Sequence, residues 1–404
     1  MRKCLFFIQE IKMIRLAVIF ESSPFDRKGL FNAVHQRILH MSGNEECQVD
    51  AFCIHSWDTA FTRKIRHSPE VQKKEDVVID GIRYRMLWYD FSITDHVTVM
   101  YLHRKPMLFG RFMDRRLALL DGYDAIVAHS FTGGLFARAA SERFGIPYFV
   151  TWHGSDVHTH PWANPLILEQ TRWIMKGASC NFFVSQALMK ASDRICTDVC
   201  KEVLYNGVSD AFQLYDDQRR SLLRKRFSLD PDVKVVAFAG SLVNVKNPDM
   251  LQPLFHEIRS RYAGPLKFWV IGDGKVRKQV ESSLVSDSSI DVVMWGNVLA
   301  DTMPDMMNCI DVLVLPSCNE GLPLVCAEAV MCGAAAFGAD VGGVAEVVGC
   351  DNVVPHGPGF IDALAAKAVD ALEERKKQSL PDSISWEKTA LKELECIRKV
   401  LKDS

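Results

Sequence analysis

Residues 316–333 read PSCNEGLPLVCAEAVMCG, and residues 311–315 just before them read DVLVL. The apolar run 311–315 has the length of a buried strand. Pro323 suits the first turn of a helix, where its missing N–H is not needed, and apolar residues then recur at helical spacing until Gly333. The segment therefore predicts a strand, a loop and a helix in succession.

Two glutamates belong to this segment: Glu320 lies in the loop and Glu328 lies inside the helix. In an open parallel sheet, ligands bind at the carboxyl ends of the strands, and the first N–H groups of a helix favour an anion there. Two carboxylates beside an anion site suit a ligand with both hydroxyls and phosphates, such as a nucleotide sugar. The alternative is a pair of solvated charges on an amphipathic helix.

The composition is that of a globular enzyme. The chain has 404 residues, a length that predicts two domains. Its net charge is −2, so the protein as a whole has no positive electrostatic field that would attract nucleic acid. The 12 cysteines are scattered and form no C-x-x-C, which predicts reduced thiols in a cytoplasmic protein. No apolar run approaches the roughly 18 residues of a membrane span. Met13 is a candidate start of translation, because a first strand follows it directly.

The first half of the chain alternates between strands and helices. The pattern predicts strands at 16–20, 49–54, 125–129, 147–152 and 181–185, a hairpin at 77–88 and a loop at 130–134. His153 and Gly154 follow one of these strands, where ligand-binding residues lie in α/β folds. His158 and His160 make a metal site an alternative, but their spacing matches no common ligand pattern, and Asp156 can cap a helix instead.

Residues 101–120 mix arginine and lysine with bulky apolar side chains. This pattern fits a helix that lies on an anionic membrane surface. It also fits an ordinary amphipathic helix with a solvated basic edge. Both interpretations remain open from the sequence.

The string 320–333 carries a family resemblance as well. Seven residues separate Glu320 from Glu328, and Gly321 and Pro323 stand between them. The string resembles the E-x7-E signature of GT-B glycosyltransferases of family 4. Further segments that resemble the family pattern are 206–208, 240–247, 268–274, 292–298 and 342–347. The resemblance extends over nearly the whole chain and is stronger in the second half.

The resemblance implies an α/β protein of the GT-B fold, with two Rossmann-like domains that face each other across a cleft. Residues 14–210 are expected to form the domain on the acceptor side. Residues 211–380 are expected to bind the nucleotide-sugar donor. A last helix, 385–402, is expected to return to the first domain.

The resemblance also implies roles for single residues. Glu320 receives hydroxyls of the donor sugar, and Glu328 receives those of the ribose. Lys246 neutralises the diphosphate, and His153 faces the sugar near the reacting centre. Other residues expected at the donor site are Gly29, Gly240, Ser241, Asn247, Gly272, Asn297, Val298, Gly321, Leu322, Pro323 and Leu324.

Two positions depart from the family pattern. Ser241 stands where an arginine usually clamps the diphosphate together with Lys246, and serine supplies neither the charge nor the bidentate geometry. Lys28 precedes Gly29 where the family usually has two glycines. Either another basic residue reaches the diphosphate, or its binding relies more on Lys246 and on the helix after Pro323.

The implied activity is retaining transfer of a sugar from a nucleotide-diphosphate sugar to an acceptor, without a metal or a covalent cofactor. The expected acceptor is a lipid-linked oligosaccharide in the synthesis of a bacterial surface polysaccharide such as lipopolysaccharide. The expected location is the cytoplasm or the inner face of the cell membrane. The alternatives are a nucleotide-sugar 2-epimerase on the same fold and a catalytically weak nucleotide-sugar binder.

Overall fold

The computed structural model describes residues 13–25, 29–66, 72–102, 109–374 and 378–403. The chain divides into two compact units. The first runs to Phe183 and also contains Ser192–Glu202 and the chain from Ala390 onward, while the second consists of Val184–Ala191 and Val203–Thr389. The chain thus leaves the first unit at 184 and again at 203, whereas the sequence suggests one boundary near 210.

The first unit is built on an eight-stranded sheet. Its strands are β1 (Ile14–Glu21), β2 (Cys47–Asp58), β3 (Asp76–Ile79), β4 (Ile82–Phe91), β5 (Ala125–His129), β6 (Tyr148–Trp152), β7 (Cys180–Phe183) and β8 (Lys201–Val203). Their order is β3-β4-β2-β1-β5-β6-β7-β8. The pairs from β4 to β7 are parallel. The order therefore reverses between β1 and β5, as in a doubly wound fold.

The predicted hairpin is confirmed: β3 pairs antiparallel with β4. Its two turn residues, Asp80 and Gly81, have φ angles of 49° and 81°. Two left-handed residues are what a tight turn between twisted strands requires, and aspartate followed by glycine supplies them.

Seven helices accompany this sheet in the described part of the first unit, before its strand β7. They are α1 (Gly29–Ser42), α2 (Ala60–Arg66), α3 (Ile93–Leu102), α4 (Phe109–Arg116), α5 (Ser130–Phe144), α6 (Ser155–His158) and α7 (Pro165–Gly177). The loop predicted at 130–134 is wrong, because α5 starts directly after β5. Ser130 makes this sharp turn with a φ of 62°. Gly133 allows α5 to touch β1, since a Cβ there would lie 2.4 Å from the carbonyl oxygen of Ile19.

The second unit is built on a six-stranded parallel sheet. Its strands are β9 (Lys234–Ala239), β10 (Leu266–Ile271), β11 (Val292–Gly296), β12 (Val312–Leu315), β13 (Ala335–Ala339) and β14 (Val353–Val354). Their order is β11-β10-β9-β12-β13-β14, which is the Rossmann order with its reversal between β9 and β12.

The helices of the second unit lie between these strands and before and after them. They are α8 (Gln186–Ala191), α9 (Asp217–Arg226), α10 (Leu251–Arg261), α11 (Arg277–Val285), α12 (Met303–Met307), α13 (Leu324–Met331), α14 (Val344–Val348) and α15 (Phe360–Glu374). The predicted strand, loop and helix around Glu320 are confirmed as β12, a loop and α13. Gly333 has a φ of 89°, which suits the residue just beyond a helix end.

The last helix, α16 (Trp386–Asp403), contributes a buried ion pair to the first unit. Glu393 Oε2 lies 3.4 Å from Nη1 of Arg37 on α1, and both side chains are inaccessible to solvent. The same Nη1 donates to Thr151 Oγ1 at 3.0 Å. Removing one partner of such a pair leaves a buried charge and costs about 3–5 kcal/mol, so the pair fixes the end of the chain to this unit.

The described ranges contain no helix with the length and apolar character needed to cross a bilayer.

Candidate active site

A lysine and a glutamate meet where the strand order of the second sheet reverses. Lys246 follows β9 and Glu320 follows β12, the two strands on either side of the reversal. The Nζ atom of Lys246 lies 2.7 Å from both carboxylate oxygens of Glu320. The Glu320 side chain is 7% exposed and that of Lys246 is 25% exposed. A doubly wound sheet binds its ligands at this point, at the carboxyl ends of the strands.

The loop after β9 turns tightly around Lys246. Residues 244–246 form a 3-10 turn, and Asn247 ends it with a φ of 52°. Asparagine tolerates this left-handed conformation better than most residues, so Asn247 has a structural role in addition to its predicted binding role. Ser241 is exposed near the start of the same loop. It contributes no positive charge next to Lys246.

The backbone of Glu320 is held by a pair of glycines after β13. A Cβ on Gly342 would lie 1.8 Å from the carbonyl oxygen of Glu320, and one on Gly343 would lie 2.5 Å from that of Gly321. Ser185, the residue directly before α8, supports the same loop, because its Oγ donates to the carbonyl oxygen of Gly321 at 2.8 Å. Any side chain at the two glycines would therefore displace the loop that carries Glu320.

Helix α13 brings the second predicted glutamate to this part of the unit. Glu328 is the fifth residue of α13 and is half-buried. Burial raises the pKa of its carboxyl group to about 7. Before it, Leu322 and Pro323 are buried and Leu324 starts the helix. Hydrogen bonds that a ligand donates to a half-buried carboxyl group of this kind stabilise its ionised form and so favour binding of the ligand.

The backbones of three glycines lie close together at the ends of β9, β10 and β11. Gly240 N–H donates to Ile271 O at 2.9 Å, and Gly272 N–H donates to Gly296 O at 2.8 Å. A Cβ on Gly272 would lie 2.0 Å from Gly240 O. Asn297 is exposed and Val298 is half-buried just beyond β11. The predicted binding residues Gly240, Gly272, Asn297 and Val298 therefore belong to one edge of this sheet.

Sequence reasoning missed a basic residue at this edge. Arg277, the first residue of α11, donates from Nη1 to Asp273 Oδ2 at 2.9 Å. The same Nη1 would lie 2.7 Å from a Cβ on Gly296. The available signal is an arginine three residues after the glycine turn 272–274. Arg277 is therefore a candidate for the basic residue that compensates for the missing arginine at position 241.

Two histidines are in contact at the carboxyl ends of β5 and β6 in the first unit. His129 ends β5, and His153 directly follows β6. His129 Nδ1 and His153 Nε2 are 3.1 Å apart and share one hydrogen bond. The sequence pointed to His153 alone, although His129 also lies at the carboxyl end of a predicted strand. That shared position is the signal that would have found it.

Both imidazoles are held in their neutral form. Burial and, to a smaller extent, the positive charge of Arg37 together lower the pKa of His153 to about 3. Burial also lowers the pKa of His129 well below its ordinary value, with smaller contributions from His153 and Arg37. At neutral pH these rings therefore act as hydrogen-bonding groups without charge.

Asp156 stabilises the turn that presents His153. Its carboxylate accepts the backbone N–H of His153 at 3.0 and 3.1 Å and that of Gly154 at 2.8 Å. Gly154 has a φ of 146°, a conformation that favours glycine. His160 makes an edge contact with Phe131 at 4.7 Å. Among the described residues, no three histidines, cysteines or carboxylates are grouped to hold a metal ion.

The loop after β1, where the family usually has two glycines, lies partly outside the described residues. Gly29 is the first residue of α1 instead of a loop residue, and a Cβ there would meet no atom within 4 Å. Lys28 lies outside the described residues.

Comparison with known proteins agrees with this fold. Residues 233–374 match the glycosyl transferases group 1 family, and residues 36–195 match the glycosyl transferase 4-like domain. The putative teichuronic acid biosynthesis glycosyltransferase TuaC of Bacillus subtilis is 29% identical over 357 residues, which are 88% of this chain and 87% of that protein. A D-inositol 3-phosphate glycosyltransferase of Rhodococcus erythropolis is 28% identical over 69% of this chain and 68% of its own length.

Solved structures share the fold at low sequence identity. Sucrose-phosphate synthase from Thermosynechococcus elongatus has a TM-score of 0.72 and 16% identity, covering 97% of this chain and 100% of the other. Anabaena HepE in complex with UDP and glucose has a TM-score of 0.65 and 16% identity, covering 96% of this chain and 98% of the other. The chain belongs to the GT-B glycosyltransferases of group 1, of the family 4 type.

Proposed function

We propose that the protein transfers a sugar from a nucleotide-diphosphate sugar to a saccharide acceptor with retention of anomeric configuration. The observation that carries this proposal is the contact between Lys246 and Glu320 at the reversal of the second sheet. A cation and a carboxylate side by side suit a ligand that carries a diphosphate and sugar hydroxyls. The HepE structure, which contains UDP and glucose on the same fold, supports this class of donor.

The chemistry follows from where charge develops during transfer. As the bond between sugar and phosphate breaks, negative charge grows on the leaving diphosphate, and Lys246 and the first N–H groups of α13 stabilise it. Glu320 receives sugar hydroxyls and Glu328 receives those of the ribose. His153 offers a neutral imidazole to the sugar. The leaving phosphate oxygen accepts the proton of the acceptor, so this proposal needs neither a separate base nor a metal ion.

The proposed acceptor is a lipid-linked oligosaccharide in the synthesis of a bacterial surface polysaccharide. Its support is the name of TuaC, a putative teichuronic acid biosynthesis glycosyltransferase that is similar over most of both chains.

Within residues 101–120, we propose a peripheral membrane contact that is made by the exposed arginines of α4. On α4, Phe109 is buried, while Arg111, Arg115 and Arg116 are exposed. The arginines are therefore available to anionic headgroups, and the apolar side chain of Phe109 is not. We expect the protein to bind phosphatidylglycerol vesicles, and we expect added salt to weaken this binding. Replacing the three arginines by glutamates should weaken it as well. Equal binding by both proteins contradicts it.

Incubation with a panel of uridine-, guanosine- and adenosine-diphosphate sugars tests the proposed function. Transfer predicts release of the nucleoside diphosphate only when a saccharide acceptor is present, and NMR of the product gives its anomeric configuration. A change of the donor sugar without acceptor would identify an epimerase, and binding without turnover would identify a binder. Loss of activity with a chelator, restored by a divalent ion, would contradict the metal-free mechanism.

A further inference from the structure

Two cysteines away from the candidate active site are in contact within the first unit. The Sγ atom of Cys200 lies 2.8 Å from the Sγ atom of Cys180, and both are free thiols. Cys180 is the first residue of β7, and Cys200 directly precedes β8. A disulfide bond is about 2.05 Å long, so the two sulfurs need to approach by only roughly 0.8 Å to form one.

The backbone around the two thiols fixes this proximity. The Cys200 carbonyl oxygen accepts the backbone N–H of Asn181 at 2.9 Å and the side-chain amide of Asn181 at 3.2 Å. The same amide donates to Met175 O at 3.0 Å, and its oxygen accepts the indole N–H of Trp152 at 3.1 Å. Asn181 thus ties the segment before β8 to β7, α7 and β6. The short distance between the sulfurs is therefore a property of the fold in this region.

The two thiols differ in access to solvent. Cys200 is exposed, whereas Cys180 is buried. Burial raises the pKa of the Cys180 thiol, and its hydrogen bond with Cys200 adds to this effect. Since thiolates are the reactive form, a soluble oxidant reaches and oxidises the exposed sulfur first. Cys180 then lies in position to act as the second, resolving thiol.

We propose that Cys180 and Cys200 are a modification site that a peroxide converts reversibly into a disulfide. The Cys200 sulfur attacks one peroxide oxygen, the O–O bond breaks, and a sulfenic acid and one water form. The Cys180 sulfur then attacks the Cys200 sulfur, the S–O bond breaks, and a second water leaves. The two thiols lose two electrons and two protons in total, and the peroxide is reduced to two waters.

The position of this bond in the chain gives it a structural effect. Cys180 lies four residues before Val184, where the chain first leaves the first unit, and Cys200 lies three residues before Val203, where it leaves again. The loop that the bond closes contains Val184–Ala191 of the second unit. Closing it removes conformations from the unfolded chain, so the oxidised protein should unfold at a higher temperature than the reduced one.

Peptide mapping after treatment with hydrogen peroxide tests the proposal. The reduced protein is oxidised, its remaining thiols are blocked, and it is cut with trypsin without reduction. The expected product joins peptide 177–190 to peptide 195–201, with the mass of two hydrogen atoms missing, and dithiothreitol removes it. Cys196 lies in the same peptide as Cys200, so the mapping uses Cys196→Ser, which also serves as the matched control.

Three further variants separate the possible outcomes. Cys200→Ser changes an exposed position and should lose both the linked peptide and the rise in unfolding temperature. Cys180→Ser should leave a sulfenic acid on Cys200 that dimedone traps. Cys396 is near enough to influence the pKa of Cys180, and Cys396→Ser should still form the link. A link from Cys200 to peptide 393–398, or oxidation of Cys200 to sulfinic acid without any link, would overturn the proposal.

Discussion

The ammonium group of Lys246 contacts both carboxylate oxygens of Glu320 at 2.7 Å. The family resemblance assigns these two residues to different parts of the donor, the diphosphate and the sugar. In the protein they neutralise each other and hold each other in place. A bound donor therefore has to share the ammonium group with Glu320, and Lys246 orients the glutamate as well as binding phosphate.

We expect Lys246→Ala to weaken both the fold and the reaction. Glu320 is buried, so the loss of its partner should lower the free energy of unfolding by about 1–3 kcal/mol. The loss of a cation at the leaving diphosphate should also reduce kcat/KM by an amount on the order of 2–4 kcal/mol. Urea denaturation and steady-state kinetics with the identified donor measure the two effects separately.

A double variant is the control for this prediction. Lys246→Met combined with Glu320→Gln leaves no unpaired charge, so it should recover most of the lost stability and none of the lost activity. Recovery of transfer in the double variant would show that the pair is structural. Unchanged kinetics in Lys246→Ala would show that this loop does not bind the diphosphate.

Gly342→Ala should lower activity through the position of Glu320. Its new Cβ would lie 1.8 Å from the carbonyl oxygen of Glu320, and a backbone atom cannot move away without moving the loop. Gly359→Ala is the matched control, because Gly359 also has a positive φ, of 80°, but open space around it. We expect both variants to lose some stability and only Gly342→Ala to lose kcat. Equal kcat losses would mean that the φ strain, and not the contact with Glu320, is responsible.

The order of elements in the second unit follows from local sequence, and the pairing of its side chains does not. Apolar runs ended by glycine and proline predict β12 and α13, because strand length and helix capping depend on neighbouring residues. Lys246 and Glu320 are 74 residues apart, and only the order of strands in the sheet brings them together. A single sequence contains no local signal for that order.

The first unit shows the same division between local and distant information. The hairpin at Asp80-Gly81 was predicted correctly, since two residues define its turn. The loop predicted at 130–134 was wrong, because helix α5 packs against β1 through Gly133, a contact that the local sequence does not contain. His129 was missed for a related reason: its importance depends on its contact with His153, which follows a neighbouring strand.

Acid should destabilise the protein through His129 and His153. Burial holds the pKa of His153 at about 3 in the folded chain, while an unfolded histidine has a pKa near 6.5. The unfolded chain therefore binds more protons below pH 6.5, and the free energy of unfolding falls as the pH falls toward 3. His153 alone should account for about 2–3 kcal/mol between pH 6.5 and 4.5.

Urea denaturation of the native protein and of His153→Asn across this pH range measures the effect. The variant should have the shallower dependence on pH. His40→Asn is a control, because His40 contacts a backbone carbonyl oxygen, that of Gln36 at 2.8 Å, and no second histidine in the described part of the chain. A wild-type slope that His153→Asn leaves unchanged would contradict the assignment of a neutral, buried imidazole.

Arg277 should contribute to donor binding in place of an arginine at 241. Arg277→Ala should raise the KM for the donor and weaken inhibition by the nucleoside diphosphate, and Arg277→Lys should recover only part of the loss because lysine lacks the bidentate geometry. Lys278→Ala, at the exposed neighbouring position, should behave as the native protein. If the kinetic constants of Arg277→Ala equal those of Lys278→Ala, Arg277 does not replace the arginine that is missing at position 241.

Glu320 and Glu328 should affect different kinetic constants although one segment carries both. Glu320 is proposed to contact the sugar, where charge develops, so its hydrogen bonds strengthen in the transition state and their loss lowers kcat. Glu328 is proposed to contact the ribose, which is remote from the breaking bond and is bound similarly throughout. We therefore expect Glu320→Gln to reduce mainly kcat, and Glu328→Gln to raise mainly the donor KM and the inhibition constant of the diphosphate product.

The pH dependence of binding adds a second measurement for Glu328. Burial raises the pKa of this carboxyl group to about 7, so much of it is protonated below neutrality. Ribose hydroxyls donate to the ionised form, and affinity for the nucleoside diphosphate should therefore rise with pH through about 7. Glu328→Gln should lose this part of the dependence, while ionisation of the diphosphate itself remains in both proteins.

If Glu320→Gln instead weakens product inhibition and Glu328→Gln does not, the two roles are reversed. If neither variant changes turnover, the segment after β12 is not the active site.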